Sequence, residues 1–271
     1  MVPHTVASRN TKCGSPKLSV TIVAQNEART IRRVLAAMES IADEIIFLDS
    51  GSTDGTIEIA QSFGVVFRHQ PWLGYADQKN LAIDLASGDW ILSLDADEIL
   101  TPQLVAEISS VLKGAIPENI SGFKIPRVLY IGDTPVKHGG FYPDAQLRLF
   151  RKGRGRFAQR IVHEAVRVDG KVVQLRNNML HYAYPDIERF AEAMDQYALL
   201  SARHYAEAGD HKWRASLINE IIHPGWTLFY RHFIRQGFRG GELCWKLNLI
   251  YADYVRKKIR YLRQLLSQSS L

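Results

Sequence analysis

The sequence predicts an α/β protein in which helices flank a mostly parallel, Rossmann-like sheet, followed by a C-terminal helical extension. Apolar, β-branched runs alternate with segments of helical periodicity between residues 18 and 94. Strands separated by whole helices are joined by right-handed crossovers, which give a parallel sheet covered on both faces. From Asp186 onward the apolar residues recur at helical spacing only.

Each predicted strand of the first part of the chain is followed by a loop and a helix. The strands are expected at residues 18–24, 45–48, 65–68 and 90–94. Gly64 and Gly88 are placed to end the second and third helices. Thr101 and Pro102 suit the N-cap and the first position of a fourth helix.

Antiparallel pairing is predicted in the middle of the chain. Residues 123–131 favour one strand, with Pro126 marking an edge position. Residues 166–175 favour a hairpin that turns at Asp169-Gly170. The parallel part of the sheet is therefore expected to be extended by strands of mixed direction.

Asp95-Ala96-Asp97 directly follows the last apolar run of the first part of the chain. Residues i and i+2 of an extended chain point to the same side, so the two carboxylates can share one hard divalent cation. Glu98 adds a third carboxylate, and like charges this close repel unless a cation or a proton lies between them. The alternative is a solvated acidic turn that leads into the helix at Thr101.

Two other polar clusters also follow predicted strands, Asn26-Glu27 and residues 49–54. The carboxyl ends of parallel strands lie at one edge of the sheet, so the three clusters are expected to share one crevice. No Gly-x-Gly-x-x-Gly of dinucleotide-binding proteins follows the first strand, and the P-loop pattern Gly-x-x-x-x-Gly-Lys-Ser/Thr does not occur in the sequence. A crevice rich in carboxylates suits a nucleotide whose base and ribose are bound by acids and whose diphosphate is bound through a metal.

Four motifs in this order resemble glycosyltransferase family 2, which has the GT-A fold. They are residues 22–27, 48–56, 78–80 and 94–98. The later segments 138–144, 148–150 and 162–164 are similar to the bacterial branch that includes lipopolysaccharide core β-1,4-glucosyltransferases. The resemblance implies inverting transfer of a sugar, glucose or another hexose, from a nucleotide-diphosphate sugar such as a UDP-sugar to an acceptor hydroxyl.

The resemblance also implies roles for the residues around the base and the ribose. Asp49 and Asp54 would contact these groups, and Asn26, Glu27 and Ser52 would line the same pocket. Alternatively, the two aspartates only cap the turn and the following helix.

At the diphosphate, the resemblance implies that Lys79 approaches the phosphates and that Asp95 lies near the ribose and the metal. Asp97 would bind Mg2+ or Mn2+ directly. The alternative for Lys79 is a solvated charge on an amphipathic helix. Arg148 could contact phosphate through its guanidinium fork.

An inverting transferase needs a general base for the acceptor hydroxyl. Glu164 is the first candidate because a predicted strand follows it, and Asp144, after Gly139-Gly140, is the second. An exposed strand residue and a turn residue are the respective alternatives. His163 is a candidate third metal ligand or phosphate contact, with a packed histidine as the alternative.

The C-terminal part of the chain is strongly basic. Residues 226–271 contain nine Lys and Arg against Glu242 and Asp253, a net charge of +7, whereas the whole chain carries +6. A basic amphipathic helix is predicted here, and it would lie on an anionic membrane. Nucleic acid is the rival partner and is disfavoured because no nucleic-acid-binding module precedes the helix. Packing of its apolar stripe on the catalytic domain is compatible with both.

Composition and cysteine usage predict a cytoplasmic protein on the inner face of the membrane, acting on a lipid-linked saccharide. Cys13 and Cys244 favour reduced thiols, and the sequence contains neither a signal peptide pattern nor an apolar run of about 20 residues. The predicted division is a disordered tail (1–16), a catalytic domain (17–185, with donor half 17–113 and acceptor half 114–185) and a helical region (186–271). A sugar-phosphate nucleotidyltransferase and a non-catalytic sugar-nucleotide-binding protein are the alternative functions.

Overall fold

The computed structural model describes residues 16–158, 165–208 and 216–268. Nearly all of the predicted N-terminal tail therefore lies outside the described residues. By their internal contacts, residues 16–125, 146–158 and 165–179 form a first compact unit, and residues 126–145, 180–208 and 216–268 form a second. The predicted donor half, acceptor half and helical region are defined by role rather than by contact, and they remain a prediction.

The secondary-structure elements follow one another in a regular order along the chain. The strands are β1 (Leu18–Ala24), β2 (Glu44–Asp49), β3 (Val66–His69), β4 (Trp90–Asp95), β5 (Glu98–Leu100), β6 (Ile120–Ile125), β7 (Arg127–Ile131), β8 (Thr134–Val136), β9 (Gln146–Arg151), β10 (Gly155–Ala158), β11 (Ala165–Val168), β12 (Lys171–Gln174) and β13 (Met179–Tyr184). The α-helices are α1 (Ile31–Met38), α2 (Thr56–Ser62), α3 (Tyr75–Leu85), α4 (Pro102–Lys113), α5 (Ile187–Glu207), α6 (Leu217–Phe229) and α7 (Gly241–Gln268). A π-helical segment (Tyr230–Ile234) and a 3-10 turn (Gly237–Gly240) connect α6 to α7.

The first unit is built on a sheet with the strand order β12-β6-β9-β4-β1-β2-β3. Strands β1 to β4 pair in parallel, with Val20 opposite both Ile45 and Leu92. Only β9 runs antiparallel to its neighbours β4 and β6. The predicted α/β class, with a mostly parallel sheet and helices between its strands, is confirmed.

Helices cover the sheet because their apolar residues recur at helical spacing. The buried residues of α1 are the four that the periodicity predicts, Ile31, Val34, Leu35 and Met38. Helix α3 packs Ala82 and Ile83 into a core cluster with Ile46, Leu48 and Ile91 of the sheet. The packing holds the carboxyl ends of β1, β2 and β4, where the polar clusters lie, at one edge.

The single strand predicted for residues 123–131 is wrong, because Pro126 divides it. Proline has no N–H to donate to a sheet ladder, and the chain passes from the first unit to the second at this residue. Strand β6 pairs with β9 before it, with Phe123 opposite Leu149. Strand β7 pairs with β8 after it, in a different sheet.

The predicted hairpin at residues 166–175 is also wrong, although the chain does turn at Gly170. Strand β11 pairs antiparallel with β10, and β12 pairs parallel with β6. Gly170 has φ +124°, and a Cβ there would lie 2.2 Å from the Ser121 Oγ, so only glycine fits. The two strands do not pair with each other because each has a partner elsewhere in the first unit.

The second unit joins the small sheet β13-β7-β8 to the long helices α5 and α7. Phe190 and Met194 of α5 and Leu247 of α7 lie in one buried cluster. Farther along, Leu262 of α7 is buried against Ala202 of α5. The apolar stripe of the basic helix is thus packed inside the unit, as the packing alternative expects.

Most basic side chains of α7 that the sequence assigns to a membrane surface are engaged within the second unit. Lys257 pairs with Asp195 of α5 at 2.6 Å, and Arg260 and Arg263 both pair with Glu220 of α6, at 2.7 and 2.8 Å. None of the helices in the described part of the chain combines the length and apolar character needed to cross a bilayer.

Candidate active site

The loops that follow β1 and β2 are tied to each other by hydrogen bonds. Asn26 adopts φ +58°, a left-handed conformation that asparagine tolerates, and its Oδ1 accepts a hydrogen bond from the Thr53 N–H at 2.8 Å. The Asn26 N–H donates to the Ser52 Oγ at 2.9 Å, and the Glu27 N–H donates to the Thr56 Oγ1 at 2.8 Å. Two of the predicted polar clusters therefore meet, as their position after neighbouring parallel strands requires.

Asp49 ends β2 with a fully buried side chain. Its Oδ2 accepts hydrogen bonds from the N–H groups of Gly51 and Ser52, at 2.8 and 3.0 Å. Burial alone would raise the pKa of Asp49, but these bonds and the neighbouring His69 hold it below its ordinary value. The Oδ1 is buried and has no hydrogen-bond partner among the described residues, so it is a charged acceptor that a ligand N–H can satisfy.

Asp54 is exposed in the same loop, and its two carboxylate oxygens bind backbone groups of the loops after β1 and β2. Its Oδ1 accepts a hydrogen bond from the Thr56 N–H at 3.0 Å, and its Oδ2 accepts one from the Ala28 N–H at 3.1 Å. The bonds from Thr56 hold the pKa of Asp54 below its ordinary value. These contacts agree with the alternative that Asp54 caps the turn and the following helix. Its contact with ribose remains a prediction.

Asp95, at the end of β4, lies between two cations. Its Oδ1 is 2.7 Å from the Lys79 Nζ, and its Oδ2 pairs with the guanidinium of Arg148. The same guanidinium lies 2.7 Å from the Oε1 of Glu98, whose side chain is fully buried. The carboxylate that was expected to bind a metal is thus neutralised by protein side chains.

Arg148 holds this network together from the neighbouring strand β9. Burial alone would lower its pKa, but the carboxylates of Asp95 and Glu98 outweigh burial and raise it, so the guanidinium stays charged. The expected phosphate contact is therefore corrected: Arg148 faces two carboxylates instead. Since unpaired buried charges are costly, the ion pairs fix the chain between Asp95 and Glu98 against β9.

Asp97 lies on the other side of this turn and acts on Glu27. Burial and the negative charge of Asp97 raise the pKa of Glu27 to about 7, against a weaker opposing effect of the Thr30 hydroxyl, which donates to the Glu27 Oε2 at 3.1 Å. Two carboxylates that disfavour each other's charge attract a cation or a proton.

This carboxylate pair fits a divalent cation that is shared with a substrate. In the described ranges no three His, Cys, Asp or Glu side chains cluster as a complete metal site. Mg2+ at nucleotide sites is usually bound by one or two carboxylates, with phosphate oxygens and water completing its shell. Asp97, with Glu27 beside it, supplies such an incomplete set.

The remaining predicted residues lie elsewhere. His163 and Glu164 fall outside the described residues. Asp144 belongs to the second unit, where its Oδ2 accepts a hydrogen bond from the Arg127 Nε at 2.9 Å. The described structure therefore brings together Asn26, Glu27, Asp49, Ser52, Asp54, Lys79, Asp95 and Asp97 within the first unit.

Two residues of α3 that received no role from the sequence position the loops of this site. Gln78 is fully buried, and its Nε2 donates to the Ser50 Oγ at 3.1 Å and to the Gln70 carbonyl oxygen at 3.0 Å. Asn80 pairs with the backbone N–H and carbonyl oxygen of Phe157, at 2.9 and 3.0 Å. Gln78 lies one turn before the buried Ala82, and this helical spacing was the available signal.

A carboxylate-rich edge on a mostly parallel sheet, with an Asp-x-Asp turn after its central strand, is the arrangement expected of a glycosyltransferase of the GT-A class. The family model for glycosyl transferase family 2 matches residues 19–124. An uncharacterized glycosyltransferase of Rickettsia felis is 31% identical over 263 residues, which cover 93% of this chain and 92% of that protein. The chain belongs to glycosyltransferase family 2, as its motifs predict.

The chain is also similar to another bacterial protein by sequence and to a solved structure by fold. The lipopolysaccharide core biosynthesis glycosyltransferase LpsC of Rhizobium meliloti is 31% identical over 242 residues, 86% of this chain and 84% of that protein. The solved structure of the mannosyltransferase PcManGT of Pyrobaculum calidifontis, in complex with GDP-Man and Mn2+, has a TM-score of 0.53 at 14% identity. That alignment covers 92% of this chain and 88% of the archaeal one, and it shows a shared fold.

Replacing Arg148 should be costly because it leaves Glu98 buried without a cation. We expect Arg148→Met to lower the free energy of unfolding by about 3–5 kcal/mol, measured by urea denaturation. Arg156→Met is the matched control, since its pair with Asp84 is exposed and should be worth less than about 1 kcal/mol. Equal losses in the two variants would contradict the structural role of Arg148.

Replacing Glu27 should change how stability depends on pH. Its pKa rises from 4.5 to about 7 on folding, so between these values the native protein retains a proton that the unfolded chain has lost, and stability falls as pH rises. Relative to wild type, Glu27→Gln should therefore gain about 1–2 kcal/mol between roughly pH 5 and pH 8, allowing for its partial exposure.

Thermal or urea unfolding with a chelator present measures this gain. Glu39→Gln, at an exposed position at the end of α1, controls for the loss of one negative charge. A gain that does not depend on pH would show that the carboxyl of Glu27 is not held in its protonated form on folding.

Proposed function

We propose that this family 2 enzyme transfers a sugar, glucose or another hexose, from a UDP-sugar to a hydroxyl of a lipid-linked saccharide, with inversion at the anomeric carbon. The observation that carries the proposal is that Asp49, Glu27 and Asp97 end or follow three parallel strands of the first unit, with Asp97 close enough to Glu27 to raise its pKa. The lipopolysaccharide role in the name of LpsC supports the proposed acceptor class.

Recognition of the nucleotide would begin at Asp49. Its buried Oδ1 has an unused acceptor position, and uracil offers a ring N–H to such an oxygen. The Oδ2 is already held by two backbone N–H groups, so the carboxylate is oriented before the ligand arrives. Asn26, Ser52 and Asp54 keep the two surrounding loops in place. Asp54, whose side chain is exposed, and Asp95 are the proposed ribose contacts.

The diphosphate would lie near Asp97. A divalent cation, Mg2+ or Mn2+, would neutralise the departing diphosphate as a Lewis acid when bound there. Asp97 is the proposed direct ligand, because the carboxylate of Asp95 is already paired with Lys79 and Arg148. The Lys79 Nζ lies 2.7 Å from the Asp95 Oδ1. To contact the phosphates, Lys79 would give up this ion pair.

The transfer step needs a base for the acceptor hydroxyl. As the hydroxyl oxygen attacks the anomeric carbon, the base takes its proton and the bond from that carbon to the diphosphate breaks. Glu164 is the proposed base. Asp144 is the second candidate, and its carboxylate is already engaged by the guanidinium of Arg127, which supports placing Glu164 first. His163 would assist as a metal or phosphate contact.

The enzyme would act at the cytoplasmic face of a membrane, where a lipid-linked acceptor is presented. Its family membership counts against the nucleotidyltransferase alternative. A non-catalytic sugar-nucleotide-binding protein would retain the same fold and donor pocket, so only an assay of transfer separates it from an enzyme.

Removing the carboxylate of Asp97 should abolish the metal-dependent part of donor binding. We expect UDP-glucose to bind Asp97→Ala at least about tenfold more weakly than wild type in Mn2+, and with no difference when the metal is chelated. Isothermal titration calorimetry measures the affinity for UDP-glucose under both conditions. Asp84→Ala, an exposed aspartate paired with Arg156, is the control and should bind like wild type. Undiminished Mn2+-dependent binding by Asp97→Ala would remove this residue from the proposed site.

Removing the proposed base should separate binding from transfer. We expect Glu164→Ala to bind UDP-glucose like wild type and to lose about 10²–10⁴-fold in kcat for transfer to saccharide acceptors extracted from membranes. Asp144→Asn is measured in parallel. Full activity of Glu164→Ala together with a comparable loss in Asp144→Asn would move the base to Asp144.

A further inference from the structure

Helix α6 and the π-helical segment after it expose an apolar surface. Every member of this surface, which we call the α6 face, is between 41% and 76% exposed. The α6 face consists of Leu217, Ile218, Ile221, Ile222, Trp226, Phe229, Tyr230, Phe233 and Ile234. Its members recur at helical spacing over residues 217–234, a length of about 27 Å at roughly 1.5 Å per residue.

The opposite side of α6 is held by charges. Glu220 is the buried residue of this helix, with 7% of its surface exposed. Its Oε1 lies 2.7 Å from the Arg260 Nε, and its Oε2 lies 2.8 Å from the Arg263 Nη2. A surface helix of a globular protein normally buries its apolar stripe and exposes its charges, and α6 does the reverse. The two ion pairs to α7 fix this orientation.

The α6 face continues onto neighbouring elements through aromatic contacts. The ring of His232 lies 5.0 Å from Phe233, 6.1 Å from Phe238 and 4.8 Å from Trp245, measured between centroids. Phe238 and Trp245 are themselves 56% and 39% exposed. Tryptophan and tyrosine favour the boundary between water and lipid, since each has an apolar ring and a polar group.

The charges beside the α6 face are net positive. From residue 217 to residue 246 the exposed charged side chains are Arg235, Arg239, Glu242 and Lys246, because Glu220 and Arg231 are buried, and Glu242 pairs with Lys246 at 2.6 Å. Arg231 lies between the rings of Phe141 and Tyr251, at 4.1 and 4.0 Å from their centroids. The exposed edge of the surface therefore complements anionic headgroups.

We propose that the α6 face rests on an anionic phospholipid bilayer, with its apolar side chains in the interfacial region and Arg235 and Arg239 among the headgroups. An interfacial helix has this combination of an exposed aromatic and aliphatic face with basic residues beside it. A second copy of the chain fits less well, since pairing two α6 faces would bring four exposed arginines together, and the exposed carboxylate that follows them, Glu242, is already paired with Lys246.

This inference deepens the membrane part of the proposed function and changes the surface involved. Basic side chains of α7 that the sequence assigned to the membrane, Lys257, Arg260 and Arg263, are paired within the second unit. The α6 face is exposed instead. Vesicle binding, measured without donor or acceptor, succeeds or fails independently of sugar transfer.

Flotation with vesicles tests the proposal on the full chain. Wild type should float with vesicles of phosphatidylcholine and phosphatidylglycerol, and more weakly with phosphatidylcholine alone. Ile221→Glu and Trp226→Glu, at positions 76% and 62% exposed, should each weaken binding roughly tenfold or more. Val66→Glu is the matched control, because Val66 is 53% exposed on β3 of the first unit, and it should bind like wild type.

The charged edge is tested separately. Arg235→Gln and Arg239→Gln should each weaken binding to the anionic vesicles about fivefold and leave the weaker binding to phosphatidylcholine unchanged. Circular dichroism melts verify that the variants are folded. Absence of wild-type binding to the anionic vesicles, or binding by Ile221→Glu equal to wild type, would overturn the proposal. A wild-type dimer by light scattering that Ile221→Glu dissociates, without vesicle binding, would assign the α6 face to a second copy instead.

Discussion

The arrangement of the candidate active site depends on the ion pairs that Arg148 makes with Asp95 and Glu98. These two carboxylates flank a tight turn at the carboxyl edge of the sheet, and Glu98 is fully buried, so the turn needs a cation. Arg148 supplies it from β9, whose Leu149 lies opposite Leu92 of β4. The guanidinium thereby holds the turn that contains Asp97 against the antiparallel strand.

The neighbouring carboxylates consequently have different environments. Asp49 is charged and held by backbone N–H groups, and Asp95 is neutralised by Lys79 and Arg148. For Glu27, burial and the negative charge of Asp97 outweigh the opposing effects of Thr30 and Arg29, and its pKa rises to about 7. A cation beside Glu27 and Asp97 would relieve the repulsion between the two carboxylates. The proposed separation of roles, with base recognition at Asp49 and diphosphate binding at Asp97, rests on these environments rather than on residue type.

The local periodicity of the sequence predicted the parallel strands, the helices between them and the edge where the polar clusters meet. It failed for strand pairs and ion pairs whose two members are far apart in the sequence. Nothing near residues 166–175 indicates that β11 pairs with β10 and β12 with β6, and nothing near Arg148 indicates a pair with Asp95 on another strand. Gln78 was passed over for a related reason, since a polar side chain is buried only when its partners are present.

In the second unit, too, local periodicity did not predict how the helices are oriented. Both α6 and α7 are amphipathic, and periodicity alone does not tell which one turns its apolar side inward. Glu220 sets the orientation of α6, because its buried carboxylate is stable only where it can pair with Arg260 and Arg263 of α7. The apolar residues on the opposite side of α6 must then face outward. The same ion pairs that engage Arg260 and Arg263 of α7 therefore leave the aromatic residues of α6 exposed. An enzyme that takes its donor from water and its acceptor from a bilayer needs both kinds of surface, and the two proposals assign them to the first and second units respectively.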